Sequence, residues 1–244
     1  MAKEYVIGKI EENIRIEDGV YELSVGGNFS GNPGQFYMLR GWREGPFLNR
    51  PISISNIYKD KIIFLYELKG KGTKIFSQLK ENDEIKLIGP LGRGFSFEKD
   101  EKAALVSGGI GVAPFVYLSR KIMGDIDLYA GFRKNPYIIK DLKENINQIY
   151  ISTEDGSVGY KGLVTGVFNP ERYTKVYTCG PIPMMKAVVE ICIEKNIPVE
   201  VSMESRMACG IGACLGCTIE TISGMKMVCK EGPVFNGREV VFDA

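Results

Sequence analysis

Histidine is absent from all 244 residues. Imidazole is the side chain that titrates near neutral pH and is the commonest metal ligand. Its absence excludes histidine-based acid–base catalysis, Rieske-type iron ligation and every zinc site that needs imidazole. An excess of charge is missing too. Lys and Arg number 31 against 30 Asp and Glu, a net charge of +1. That argues against a general nucleic-acid binder, whose footprint is basic. A membrane helix needs about 18 consecutive apolar residues, and no such run occurs. The opening MAKEYVIGKI places Glu4 and Lys9 where a signal peptide would carry its apolar stretch. A cytoplasmic protein without nucleic-acid or membrane partners is expected. Any chemistry must come from cysteines, backbone, hydroxyls, charged groups or a bound cofactor.

Apolar residues make up 44% and charged residues 25%, enough apolar content to build packed cores. Three stretches read differently. Residues 1–98 hold short β-branched or aromatic segments, such as Tyr5–Ile10, Gly19–Val25, Gln35–Leu39 and Lys61–Leu68. Gly, Asn and Pro clusters separate them, which predicts an antiparallel barrel or sandwich with a short helix near Thr73–Leu79. Residues 99–202 alternate strands (Ala103–Ser107, Ile126–Ala130, Gln148–Ser152, Val176–Cys179) with helices near Pro114–Met123 and Pro183–Lys195. That rhythm predicts an open parallel α/β sheet. Residues 203–244 break the pattern and form a small third module.

Four of the six cysteines fall in this last stretch. Cys209, Cys214, Cys217 and Cys229 read C-x4-C-x2-C-x11-C, the spacing of plant-type [2Fe–2S] centres. Three thiolates converge from one tight loop and the fourth arrives from a neighbouring strand. Interleaved glycines let the backbone fold closely and turn amides toward the sulfurs. A structural zinc held by four cysteines is the alternative. Its usual grammar is paired C-x2-C knuckles, and only Cys214 and Cys217 form one. Disulfides are not expected, because nothing routes the chain to an oxidising compartment. Cys192, at helical spacing from Val188 and Val189, reads as a buried thiol.

Two glycine loops carry a second signal. Ser107 is followed by Gly108-Gly109-Ile110-Gly111-Val112-Ala113-Pro114, a strand, turn and helix start. Small residues and free N–H groups there suit a diphosphate, although such turns also merely connect elements. Cys179-Gly180-Pro181 follows a later strand, at the sheet edge where ligands of open α/β folds bind. Cys179 is either a contact to a flat ring or a plain buried thiol. In the barrel, Arg50 of Arg50-Pro51-Ile52-Ser53 offers a fork to phosphate. Lys69-Gly70-Lys71-Gly72-Thr73 is a basic loop opening a helix. An ordinary turn and a solvated Arg are the bland alternatives.

In this order the pieces resemble the ferredoxin–NADP reductase superfamily. Arg50–Ser53 is similar to its flavin signature, with Ile52 where an aromatic is usual. Gly72-Thr73 resembles its phosphate step, Gly108–Pro114 its pyrophosphate loop and Cys179-Gly180-Pro181 its nicotinamide loop. With Met207-Ala208-Cys209-Gly210-Ile211-Gly212-Ala213-Cys214, the chain resembles the electron-transfer subunits of class 1B dihydroorotate dehydrogenases over essentially its whole length. The resemblance implies a six-stranded FAD barrel, an α/β NAD domain and a C-terminal [2Fe–2S] module. It implies FAD contacts at Arg50, Pro51, Ile52, Ser53, Leu65, Tyr66, Glu67, Gly72 and Thr73. It implies NAD contacts at Gly108, Gly109, Gly111, Cys179, Gly180 and Pro181, and cluster ligation by Cys209, Cys214, Cys217 and Cys229. No side chain is expected to serve as a catalytic acid or base. The implied route runs from the FMN of a separate catalytic subunit, through the cluster and FAD, to NAD+ in pyrimidine biosynthesis. The implied assembly is a heterotetramer of two subunits of each kind. The alternative is a related NAD(P)H–ferredoxin reductase subunit of another redox complex. A zinc-binding module without enzymatic activity is the reading from a different class. Arg133 could meet a ribose 2′-phosphate or lie on the surface, which leaves NAD and NADP both open.

Overall fold

The computed structural model describes residues 4–242. Strands β1 (Glu4–Glu17) and β2 (Val20–Gly26) are joined by Asp18-Gly19. Gly19 sits at φ +71°, and an Asp-Gly pair of this kind suits a tight hairpin. Strands β3 (Phe36–Arg40), β4 (Arg50–Ile57) and β5 (Lys61–Glu67) follow. Then come helix α1 (Lys71–Phe76) and strand β6 (Glu84–Leu91). The strands close into an antiparallel barrel in the order β1-β2-β5-β4-β3-β6, with β6 pairing back onto β1. Alternation puts Leu23, Val25, Leu39, Ile54, Phe64 and Leu87 in its interior.

The second unit contains β7 (Ala103–Gly108), α2 (Ala113–Ser119), β8 (Ile126–Phe132), α3 (Ile139–Leu142) and β9 (Gln148–Thr153). It continues with β10 (Tyr160–Lys161), β11 (Lys175–Cys179), α4 (Ile182–Glu194) and β12 (Val199–Ser202). The sheet order is β10-β9-β8-β7-β11-β12, all parallel, with a further edge strand beyond β12. The order reverses between β7 and β11, the switch point at which such sheets bind ligands. Helix α2 covers the face carrying Leu105 and Leu128, and α4 covers the face carrying Ala104 and Val176.

The C-terminal stretch forms a hairpin, β13 (Thr218–Thr221) and β14 (Gly224–Met227), and then β15 (Val234–Asn236). Strand β15 pairs antiparallel with β12, so the sheet takes its edge strand from beyond residue 203. Periodicity alone gives no hint of this, because three residues are too few to show a repeat.

The units are packed as one body. Tyr117 of α2 is buried in the barrel's core cluster, and its hydroxyl donates to the Gly31 carbonyl at 3.2 Å. Arg120 lies over the Tyr58 ring at 5.1 Å. Cys217, Val228 and Cys229 share a core with Met38 and Leu91 of the barrel and with Met185 and Val188 of α4. The cysteine module is therefore seated on both other units. Among the described residues no helix is long and apolar enough to cross a membrane.

Candidate functional site

A cleft of about 690 Å³ lies between the barrel and the carboxyl edge of the sheet, a size that suits cofactor-like ligands. Arg50, Pro51, Ile52 and Ser53 line it from the start of β4, Leu65, Tyr66 and Glu67 from the end of β5, and Thr73 from α1. Gly111 and Cys179 line it from the sheet. Gly72, Gly108, Gly109, Gly180, Pro181 and the four clustered cysteines are not among its lining residues.

The barrel side is built around Arg50. Its guanidinium lies over Trp42 at 5.4 Å, and Trp42 stacks on Phe76 of α1 at 5.5 Å. A Cβ at Gly72 would stand 2.5 Å from Arg50 Nε, so residue 72 leaves room for the guanidinium. The Thr73 hydroxyl accepts hydrogen bonds from Lys69 N at 3.0 Å and Gly70 N at 3.2 Å. That hydroxyl shapes the loop instead of pointing freely at a ligand. The Tyr66 ring packs against Tyr21 and Phe76, and its hydroxyl donates to Asn13 at 3.0 Å. Burial raises its phenol well above the ordinary range.

On the sheet side the two glycine loops interlock. A Cβ on Gly111 would stand 2.2 Å from the Cys179 carbonyl oxygen, and one on Gly180 would stand 2.8 Å from Gly108 N. These glycines are needed first for contact between the loops. Gly111→Ala drives backbone into backbone, which neither loop can relieve by a rotamer change. We expect it to destabilise the protein by about 3 kcal/mol, the upper end for overpacking, measurable by denaturant unfolding. Gly109, at φ +54°, is different: its missing side chain faces open space. Beneath the loops, the hydroxyls of Ser107, Ser152 and Thr178 are buried without partners among the described residues, at the ends of β7, β9 and β11. Orphaned hydroxyls cost stability and draw attention to the edge that carries them.

Cys179 is 4% exposed. Burial, and then the nearby Glu204 carboxylate, push its thiol up to about 12, against a weaker pull from a Ser202 hydrogen bond. Burial does the same to Cys192, also to about 12. At pH 8 such thiols hold about a thousandth of the ordinary thiolate fraction. Alkylation at pH 8, read by mass spectrometry, should spare Cys179 and Cys192 in the folded protein and modify both in denaturant.

The cluster loop adjoins this cleft. Ser202, Met203, Glu204, Ser205, Arg206 and Met207 line the cleft and lead directly into Cys209. Met207 and Cys209 are two residues apart, so their Cα atoms lie within about 7 Å. This wall has no sequence signature, since its position comes from β12 delivering the chain across the sheet edge. Cys217 and Cys229 are each 2% exposed, whereas Cys214 is exposed. The loop turns through left-handed backbone at Gly210 (φ +71°), Gly212 (φ +84°) and Leu215 (φ +59°). A Cβ on Gly210 would stand 2.6 Å from Met38 Cγ, which shows how tightly the loop sits on the barrel.

The amides of Ile211 and Ala213 donate to Cys209 Sγ at 3.4 and 3.3 Å, and that of Cys229 to Cys217 Sγ at 3.4 Å. Burial opposes ionisation of Cys209, but the amides of Ile211, Ala213 and Cys214 together hold its thiol down to about 6. Cys209 interacts with Cys214, and Cys229 with both Cys217 and Cys209. Four cysteines on one loop and the turn after β14, with backbone amides donating to the sulfurs of Cys209 and Cys217, fit the ligand set of a [2Fe–2S] cluster.

A closed barrel and a switch-point sheet edge wall one cleft, and a four-cysteine loop adjoins it, the architecture of an iron–sulfur oxidoreductase. Residues 204–241 match the family model described as the iron–sulfur cluster binding domain of dihydroorotate dehydrogenase B. The chain is 50% identical to the electron transfer subunit of dihydroorotate dehydrogenase B (NAD(+)) of Clostridium acetobutylicum, over 100% of both chains. It is 44% identical to that of Clostridium perfringens, over 99% of this chain and all of the other. The chain belongs to the family of dihydroorotate dehydrogenase B electron transfer subunits. Among solved structures, an NADH-dependent reduced ferredoxin–NADP oxidoreductase superposes with TM-score 0.88 at 26% identity, covering 98% of this chain and 91% of that one. A ferredoxin reductase of carbazole 1,9a-dioxygenase shares the fold, with TM-score 0.70 at 17% identity over 82% of this chain and 69% of the other.

Proposed function

We propose that this protein carries electrons from the FMN of a dihydroorotate-oxidising partner, through a [2Fe–2S] cluster and FAD, to NAD+ in pyrimidine biosynthesis. The observation that carries this reading is the shared wall: the chain that lines the cleft becomes the cluster loop within two residues. A flavin supplies the one chemistry that neither other centre has, exchange of both single electrons and hydride. The protein supplies position and electrostatics.

Cys209, Cys214, Cys217 and Cys229 are assigned to the cluster. The amides on Cys209 and Cys217 tune it, because hydrogen bonds to sulfur set such potentials. Arg50, Pro51, Ile52, Ser53, Leu65, Tyr66, Glu67, Gly72 and Thr73 are assigned to FAD. The dinucleotide is assigned to the carboxyl edge at Gly108, Gly109, Gly111, Cys179, Gly180 and Pro181. A neutral Cys179 thiol offers a flat ring a polarizable contact without a charge. No proton need move through a side chain, which accounts for a redox protein without histidine. The named relatives use NAD(+), and we assign NAD here in preference to NADP. Exposed Cys214 and the open face of the loop are assigned to the partner in a two-plus-two heterotetramer. Six free cysteines and an oxidation-sensitive cluster suit the cytoplasm, where thiols stay reduced.

The test is the visible spectrum of the anaerobically purified complex before and after NADH. The reading predicts flavin bands and broad cluster absorption, both bleached by NADH. A colourless protein holding zinc would refute it.

A further inference from the structure

Lys230 follows Cys229 in the turn after β14. That turn is well fixed. The Met227 carbonyl accepts from the amides of Lys230 at 3.1 Å and Glu231 at 2.9 Å, and the Val228 amide donates to the Cys217 carbonyl at 3.0 Å. From there the Lys230 side chain lies across the cluster loop. A Cβ on Gly212 would stand 2.7 Å from Lys230 Cδ, 3.2 Å from its Cβ and 3.4 Å from its Cγ. The stem thus covers a glycine held in left-handed backbone at φ +84°. Gly212 in turn sits against a sulfur. Burial, and then the Cys217 thiol, push the Cys229 thiol up to about 12, and the Gly212 amide pulls against them. The ammonium, two bonds beyond Cδ, is exposed, and among the described residues it forms no ion pair. The nearby acids are engaged elsewhere: Glu231 accepts from the Met227 amide at 2.6 Å, and Glu239 pairs with Lys226 at 3.1 Å.

A surface lysine commonly lays its stem on whatever lies beneath it. Here the surface beneath is the loop that joins Cys209 to Cys214, and the backbone of Lys230 itself adjoins Cys229. One cation is therefore tied to both chain segments that carry the thiols. Net charge around an iron–sulfur centre is one of the quantities that set its potential. Reduction adds a negative charge, and a fixed positive charge nearby favours the reduced form. We propose that Lys230 raises the reduction potential of the cluster, its stem laid over Gly212 to hold the ammonium beside the loop. The cluster then takes an electron more readily from the partner. The inference rests on the assignment of the four cysteines to a [2Fe–2S] cluster.

Lys230→Met keeps an apolar stem and removes the charge. Lys230→Arg keeps both, and Lys230→Glu reverses the charge. The anaerobic two-subunit complex of each would be poised at a series of potentials with dithionite and mediators. The reduced cluster would be counted at each potential by low-temperature electron paramagnetic resonance. The proposal expects Lys230→Met to shift the cluster's reduction equilibrium about tenfold toward the oxidised form, a midpoint about 59 mV lower for this one-electron couple. Lys230→Glu should shift it further in the same direction, and Lys230→Arg should stay within about twofold of wild type. Unchanged midpoints in Lys230→Met and Lys230→Glu would overturn the proposal. So would an equal fall in Lys230→Arg and Lys230→Met, which would make the shape of the side chain responsible instead of its charge. A wild-type complex with no reduced-cluster resonance at any potential would instead refute the cluster assignment itself.

Discussion

Cys217→Ser should abolish the cluster absorption and lower dihydroorotate-dependent NAD+ reduction by more than about a hundredfold. The bound follows from chemistry one shell further out, where loss of a ligand's supporting hydrogen bond already costs about 10- to 100-fold. NADH should still reduce the flavin, because β4, β5 and the sheet edge wall the cleft on the sides away from the cluster loop. The same substitution should also cost stability. Cys217 is buried in the core shared with Val228 and Met185, and an unsatisfied hydroxyl there costs about 1–3 kcal/mol. Cys214→Ser should lose the cluster too, but with little change in unfolding midpoint, since that sulfur is exposed. The absorbance spectrum, the NADH–dye activity and the melting curve of each variant decide the matter. Loss of NADH-driven flavin reduction in Cys214→Ser would show that the cleft depends on the cluster.

Arg50→Ala should weaken FAD binding by about a hundredfold. The guanidinium is pinned between Trp42 and Gly72. Charge-assisted hydrogen bonds are worth about 1.5–3 kcal/mol each, and each 1.4 kcal/mol is tenfold. Arg50→Lys should not restore affinity, because an ammonium lacks the planar fork. Gly72→Ala gives an independent handle. Its Cβ would meet only the movable end of Arg50, so stability should be preserved while FAD binds about tenfold more weakly than in wild type, the equivalent of one lost hydrogen bond. Flavin retained after gel filtration, and fluorescence titration of the apoprotein, report both. Unchanged FAD affinity in Arg50→Ala would remove Arg50 from the flavin site.

The architecture was legible because its signals are local. Short β-branched and aromatic segments separated by Gly, Asn and Pro clusters such as Gly26-Gly27-Asn28 point to the β-rich unit, and alternating elements to the parallel sheet. The helices were found with displaced ends: α1 spans Lys71–Phe76 instead of 73–79, and α2 stops at Ser119 instead of 123. Helix ends depend on caps and neighbours more than on composition. The short β10, α3 and β15 went unread, being too short to carry a period. The cysteine spacing was legible since the ligands are close in sequence. The cleft wall at Ser202–Met207 was not, because long-range packing alone gives it its position. Thr73 lines the cleft, and the hydrogen bonds its hydroxyl accepts from Lys69 N and Gly70 N are a loop contact that no sequence spacing announces.

The most direct test of the account mixes the purified two-subunit complex with dihydroorotate and NAD+ under anaerobic conditions and follows NADH at 340 nm. The account predicts one NADH formed per dihydroorotate consumed, with none from the catalytic partner alone. Equal NADH formation by the partner alone, or flavin and cluster bleaching by dihydroorotate with no NADH produced, would contradict it.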